Sequence, residues 1–166
     1  MRKLAIATVA AVVIGLAGAG VTFAGKDHRD GGRTFTVFAM TSPDRIAILP
    51  VVPGKFSLGD RVVFSDDLFT ARGGTAVGTD GAECTTVRVT NAATASGVLQ
   101  CLVTFSLPGG QITTQALNTV TNGQFTTGTQ TGAITGGTGR YRDASGQFAV
   151  DVLSETEANI TFFLGD

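Results

Sequence analysis

The chain has 166 residues, with 12 Lys plus Arg against 13 Asp plus Glu, a net charge of −1, 43% hydrophobic and 15% charged residues. That length suits one domain, not a large multidomain enzyme. The charge balance argues against nucleic acid or an anionic membrane as main partner, and the mean hydropathy of +0.27 argues against disorder.

Met1-Arg2-Lys3 is basic, and Leu4 to Val21 is apolar or small apart from one Thr. Val21-Thr22-Phe23-Ala24 then leads into the polar stretch from Gly25. Basic start, apolar middle and small residues before a polar stretch make a secretory signal peptide. Thr22 at −3 and Ala24 at −1 predict cleavage after Ala24; Ala17 and Ala19 give a second option. An uncleaved anchor is the rival, because the run is just long enough to span a bilayer, but its Gly and Ala content makes a weak anchor. After cleavage no stable membrane insertion is expected, and no Cys follows the run to carry a lipid. Domain bounds follow as 1–24 signal peptide, 25–32 flexible mature N-terminus and 33–166 folded domain. The expected location is secreted.

From Arg33 onward no segment holds a helical apolar period over three turns. What recurs is alternation with period two, cut by Gly-containing turns. The predicted strands are 34–40, a short extended piece at 46–52 among prolines, 60–69, 83–90 after a turn at 78–81, 98–107, 111–120, a Thr-rich stretch within 124–134, 146–154 and 158–164. The Asn122-Gly123 pair marks a tight turn. Abundant Thr and 23 Gly agree with an all-β chain. Short turns make neighbours antiparallel, and about eight strands close into a barrel, which removes exposed edges. Such a barrel is nearly filled by side chains or holds one small ligand. A β-sandwich is the alternative on pattern alone.

Gly59-Asp60-Arg61-Val62-Val63-Phe64-Ser65-Asp66-Asp67-Leu68-Phe69 resembles an early strand of the allene oxide cyclase and dirigent barrels. The resemblance continues at Val77-Gly78-Thr79-Asp80-Gly81-Ala82-Glu83-Cys84 and at Ile134-Thr135-Gly136-Gly137-Thr138-Gly139-Arg140-Tyr141. The order and spacing of these blocks fit over most of Arg33 to Leu164. The resemblance implies an eight-stranded antiparallel, calycin-like closed barrel with an apolar cavity, often a homotrimer, with no metal and no organic cofactor. It implies a small apolar ligand, and either cyclisation of a reactive fatty-acid epoxide or stereo-directed coupling of radicals or quinone methides. Cys84 falls where the plant cyclases have a cavity Cys, and Asp66 where they have a cavity Asn. Asp66-Asp67 is similar to the paired acids of dirigent proteins. Ala39 stands where the cyclases use a Glu, and Asn118 lies nearest their cavity Tyr, so genuine allene oxide cyclase activity is not expected.

Asp66 and Asp67 point to opposite faces of their strand. Val62, Phe64, Asp66 and Leu68 share one face, mostly apolar, so Asp66 is expected to point inward and Phe64, Leu68 and Cys84 to line a cavity. A carboxylate held in apolar surroundings has its pKa raised and becomes suited to proton transfer near neutrality. Asp66 and Asp67 are therefore the candidate catalytic residues; a solvated strand end is the bland alternative. Cys84 and Cys101 flank a hairpin loop at 91–97. Pairing symmetric about 92 and 93 puts them opposite each other, at disulfide distance, whereas a one-residue slip separates them. No His or Lys lies nearby to activate a thiol. With one His (His28) and two Cys, a zinc site lacks ligands and a Ser-His-Asp triad has only His28 to draw on. Thr135 to Gly139 resembles a dinucleotide loop by letter, but no helix pattern follows it, so a tight turn is the better reading. Asn159-Ile160-Thr161 is a formal glycosylation sequon inside a strand. The combined expectation is a cofactor-free, exported barrel that binds a small apolar molecule and steers its cyclisation or coupling. The alternative is a non-catalytic lipocalin-like carrier or structural barrel.

Overall fold

The computed structural model describes residues 32–165. The expected signal peptide, both cleavage sites and His28 lie outside them, as does the expected flexible N-terminus except Gly32. Nine strands follow in order: β1 Thr34–Leu49, β2 Arg61–Phe69, β3 Ala76–Asn91, β4 Ser96–Leu107, β5 Gly110–Thr121, β6 Gln124–Phe125, β7 Gly128–Gly137, β8 Gly146–Val152 and β9 Glu157–Leu164. A single 3-10 turn at Gly139–Tyr141 joins β7 to β8. The sheet order is β4-β3-β2-β1-β9-β8-β7-β5-β6, and the β4–β5 ladder closes it. Eight strands therefore form a closed antiparallel barrel, and the two-residue β6 only extends the β5 hairpin.

Alternation decides which side chains fill the barrel. The inward set includes Val37 and Ala39 of β1, Leu68 of β2, Phe105 of β4, Ile112 of β5, Phe148 of β8 and Phe162 of β9, all buried. Phe162 stacks on Phe35 at 4.9 Å between ring centroids and meets Phe105 edge-on at 5.0 Å. Tyr141, on the 3-10 turn, adds its buried ring to the same cluster. Glycine makes one of these contacts possible. A Cβ on Gly132 would lie 2.5 Å from Cε1 of Phe148 and 2.6 Å from the backbone oxygen of Gln115.

Three local expectations are corrected. The turn expected at 78–81 is strand: β3 runs from Ala76, and the chain reverses instead around Arg72-Gly73-Gly74. Gly78 serves close approach, since a Cβ there would fall 2.0 Å from the backbone oxygen of Ser106 on β4. The separate piece at 46–52 is the far end of β1. That strand continues to Leu49 after an irregularity in which 42–45 stand opposite Ser65 alone. The Thr-rich stretch at 124–134 divides into β6 and β7 around Gly128, whose φ is +98°. The Asn122-Gly123 turn is as expected, both residues having positive φ.

Candidate functional site

Inward positions along β2 become steadily more buried. Val62 and Phe64 are half-buried, Asp66 is 7% exposed and Leu68 is completely buried. β9 shows the same gradient from half-buried Ala158 through Ile160 to fully buried Phe162, and β8 shows it in reverse from Phe148 to Val152. The lumen is thus closed at the Leu68 and Phe162 end. At the Val62 end a second packed cluster of Cys84, Leu99, Cys101 and Val120, with Phe56, Val62, Phe64 and Phe125 against it, fills the interior, while the inward side chains of Asn118, Gln130 and Val152 are half-buried. Phe64 meets Phe125 edge-on at 6.1 Å against this second cluster.

Asp66 sits between these two regions, on the inward face that the parity of β2 assigns to it. Its neighbours on the same face of the flanking strands are short: Ala39 and Thr41 on β1, Ala82 on β3. The hydroxyl of Thr41 donates to Asp66 Oδ1. Opposite it on β3 stands Asp80, also 7% exposed. The Asp66 backbone N–H donates to Asp80 Oδ1 at 2.9 Å. Burial, followed by the negative charge of Asp66, pushes Asp80 up to about 8. Burial also pushes Asp66 above the usual carboxylate range, while hydrogen bonds from Thr41 and Asp80 pull it back. Burial raises both acids, and Asp80 therefore holds its proton to higher pH than an exposed carboxyl does. Two neighbouring buried carboxyl groups of this kind are coupled, so the protonation of one bears on that of the other.

The other singled-out residues fall as follows. Asp67 points outward and accepts from Arg45 at 2.8 Å on the exposed surface. It does not join Asp66 in the lumen. Phe64 is half-buried against the Cys84 cluster, whereas Leu68 and Cys84 are both completely buried within packed clusters. Cys84 and Cys101 are direct partners in the β3–β4 ladder and form a disulfide, with Cα atoms 4.0 Å apart. Ala39 is buried facing inward, and Asn118 is half-buried opposite the buried Leu99 of β4. Thr138 precedes the 3-10 turn, so the glycine-rich 135–139 segment ends a strand and does not open a helix. Among the described residues no group of three or more His, Cys, Asp or Glu is placed to hold a metal ion.

Sequence reasoning missed two acids. Asp80 was hidden in the supposed turn, although the alternation Asp80, Ala82, Cys84 marks it as inward. Asp60, read as the first strand residue, anchors the loop before β2. It accepts from the amides of Val51 and Ser57 at 2.8 and 2.7 Å and from the Ser57 hydroxyl at 2.8 Å. Burial works to raise its pKa, but these bonds outweigh it and hold Asp60 below the usual range. The signal available was Ser57 three residues ahead of an Asp, a local hydrogen-bonding pair.

Two hollows indent the outside of the barrel. One, of about 290 Å³, lies at the β1 irregularity and is lined by Asp44–Ala47 and Val63–Ser65. The other, of about 390 Å³, lies beneath the 3-10 turn and is lined by 139–144, Leu164 and Gly165.

Comparison with known proteins agrees with the architecture. The family model described as "Allene oxide cyclase barrel like domain" matches residues 41–164. No curated protein matches the chain. Among solved structures, one titled pyocyanin demethylase is 28% identical, with a TM-score of 0.66, over 80% of this chain and 100% of that one. A pterocarpan synthase dirigent protein, GePTS1, is 19% identical with a TM-score of 0.60, over 81% of this chain and 83% of that one. The Diels Alderase AbmU from Streptomyces koyangensis is 15% identical with a TM-score of 0.59, over 84% of this chain and 71% of that one. The last two likenesses speak for the fold alone.

Proposed function

Because the chain belongs to the allene oxide cyclase barrel-like family, we propose that it is an exported barrel that takes up a small apolar molecule and steers a cofactor-free cyclisation or coupling. The observation that carries this reading is the Asp66–Asp80 pair, two acids buried on the inward face between the two apolar clusters of the barrel. In such a site shape selects one conformer of the bound molecule. Asp66 accepts a proton from it or stabilises positive charge on it, and Asp80 supplies the exchangeable proton. The 28% identical structure named for a demethylase supports a small molecule as the thing handled. Export is supported by the Cys84–Cys101 disulfide, which persists in oxidising compartments, and by the basic-apolar-small pattern of the first 24 residues.

A non-catalytic carrier or structural barrel is the second reading. It is favoured by the completely buried side chains that fill both apolar clusters of the barrel. Calorimetry separates the two. The neutral dye N-phenyl-1-naphthylamine is titrated into the protein in two buffers of different ionisation enthalpy. The steering reading expects saturable binding, weakened at least tenfold by Phe64→Ala, with a proton gained or lost that disappears in Asp80→Asn. Saturable binding with no proton change in either protein would favour the carrier. No saturable binding would sink both ligand readings.

A further inference from the structure

The backbone ladders on both sides of β2 are interrupted at Ser65–Asp66. On one side, residues 42–45 of β1 stand opposite Ser65 alone, so the β1–β2 ladder stops at Thr41–Asp66 and resumes at Ile46–Phe64. On the other side, the β2–β3 ladder passes from Phe64–Ala82 to Asp67–Thr79, and the Asp66 amide goes to the Asp80 side chain. The pairing of β9 with β1 runs from Thr34 to Met40, short of this stretch. Pro43, inside the bulge, has no amide to give a neighbour. Outside the bulge lies the hollow of about 290 Å³ lined by Asp44–Ala47 and Val63–Ser65. Phe64 lines this hollow and also packs against the Cys84 cluster, so it belongs both to the hollow and to the interior.

We propose that the 42–45 bulge is a side door through which a small molecule reaches Asp66, and that the Arg45–Asp67 ion pair is its latch. Asp66 and Asp67, consecutive on β2, hold the two ends of the bulge. Inside the barrel Asp66 accepts from the Thr41 hydroxyl, and outside it Asp67 accepts from Arg45 at 2.8 Å. The Thr41 end is also tied by its amide to the carbonyl of Thr156, which makes it the hinge. At the other end the Arg45 and Asp67 side chains are 42% and 37% exposed, and an ion pair so well solvated holds weakly. A stretch with few backbone bonds and little buried surface opens locally at low cost. Entry through either end of the barrel would instead have to displace a packed apolar cluster. Swinging 42–45 outward breaks no rung of the β1–β2 or β1–β9 ladder. The door rests on the reading of Asp66 as the site, and it makes Asp67 a positioning residue.

The test uses the mature chain with its disulfide intact and needs no ligand. In Asp66→Cys the added thiol is alkylated by neutral iodoacetamide at a rate set by access. Adding Arg45→Ala is expected to speed alkylation about two- to fivefold, the range that an exposed pair commands. Adding Ala47→Trp, which fills the hollow, is expected to slow it. Arg61→Ala breaks the exposed Arg61–Glu83 pair on the same strand and is expected to leave the rate unchanged. Raising the salt is expected to speed the reaction only while Arg45 is present. Should Asp66→Cys fail to fold, exchange of the Asp66 amide reads the same opening in an otherwise native chain. That exchange is expected to quicken in Arg45→Ala and Asp67→Asn but not in Arg61→Ala, with the Phe162 amide unchanged in all three. Equal rates with and without Arg45, equal effects of Arg45→Ala and Arg61→Ala, or a rate that Ala47→Trp does not slow would each overturn the door. A door that opens as expected in a protein that binds no dye would overturn the ligand reading and leave the door standing.

Discussion

The backbone amide of Asp66 donates to the carboxylate of Asp80 across 2.9 Å, so the main chain of one acid fixes the side chain of the other. Asp80 is raised from 3.8 to about 8 by burial and by the Asp66 charge. The folded chain thus keeps a proton that the unfolded chain releases. The resulting destabilisation is absent below the unfolded value, grows as pH rises and is complete above about 8. Melting temperature is expected to fall between pH 4.5 and pH 8. Asp80→Asn, which keeps an oxygen for the Asp66 amide, should flatten that slope. Parallel slopes in the two proteins would show that Asp80 does not hold the proton.

Thr41 tests the other half of the pair. Its hydroxyl supports the Asp66 anion, so Thr41→Val should raise the Asp66 pKa, read by carbon-13 NMR of the carboxyl group. The loss of a hydrogen bond to a charged group should cost about 1.5–3 kcal/mol. Asp66→Asn keeps the shape, so its melting temperature should stay close to that of the wild type while dye-linked proton exchange changes.

The Cys84–Cys101 bridge closes a loop of sequence separation 17. Replacing both Cys with Ala should destabilise the barrel by roughly 3 kcal/mol on loop-closure grounds. Intact mass after alkylation should show two modified thiols only when reduction comes first. Two alkylated thiols in freshly isolated, unreduced protein would contradict the bridge.

Asp60 holds the loop ahead of β2 through three accepted hydrogen bonds. Asp60→Ala orphans two amides and should cost about 2–3 kcal/mol. The first new protease cuts should appear between 50 and 60. Cuts elsewhere would assign the loop's order to other contacts.

Mass spectrometry of protein from the culture medium of its native host should give a chain starting at Gly25. A retained Met1-Arg2-Lys3 would remove the export argument.

What was legible in the sequence followed from alternation. Val62, Phe64 and Leu68 put Asp66 on the inward, mostly apolar face of its strand, and the symmetry of 84 and 101 about their loop puts the two cysteines opposite each other. Both depend on period-two geometry, which local residues determine. Asp80 escaped because Gly78 and Gly81 carry the letters of a turn. Whether such a glycine bends the chain or admits a neighbouring backbone depends on β4, which local sequence does not specify. The irregularity at 42–45 was hidden for a related reason: Pro43 reads as a break, and only pairing with β2 reveals that the strand resumes beyond it. Asp60 was assigned to the strand because its ties run to Val51, nine residues back.

The β1–β9 ladder has a consequence for the order of events during synthesis. Phe35 finds its partner at Phe162, so the cylinder cannot shut until nearly the whole polypeptide has left the ribosome. Until then β1 has one neighbour instead of two, and the chain stays threadable. Long-range pairing of this sort slows folding. Under the export proposed above, that delay lets the last rung of the ladder form on the far side of the translocation channel.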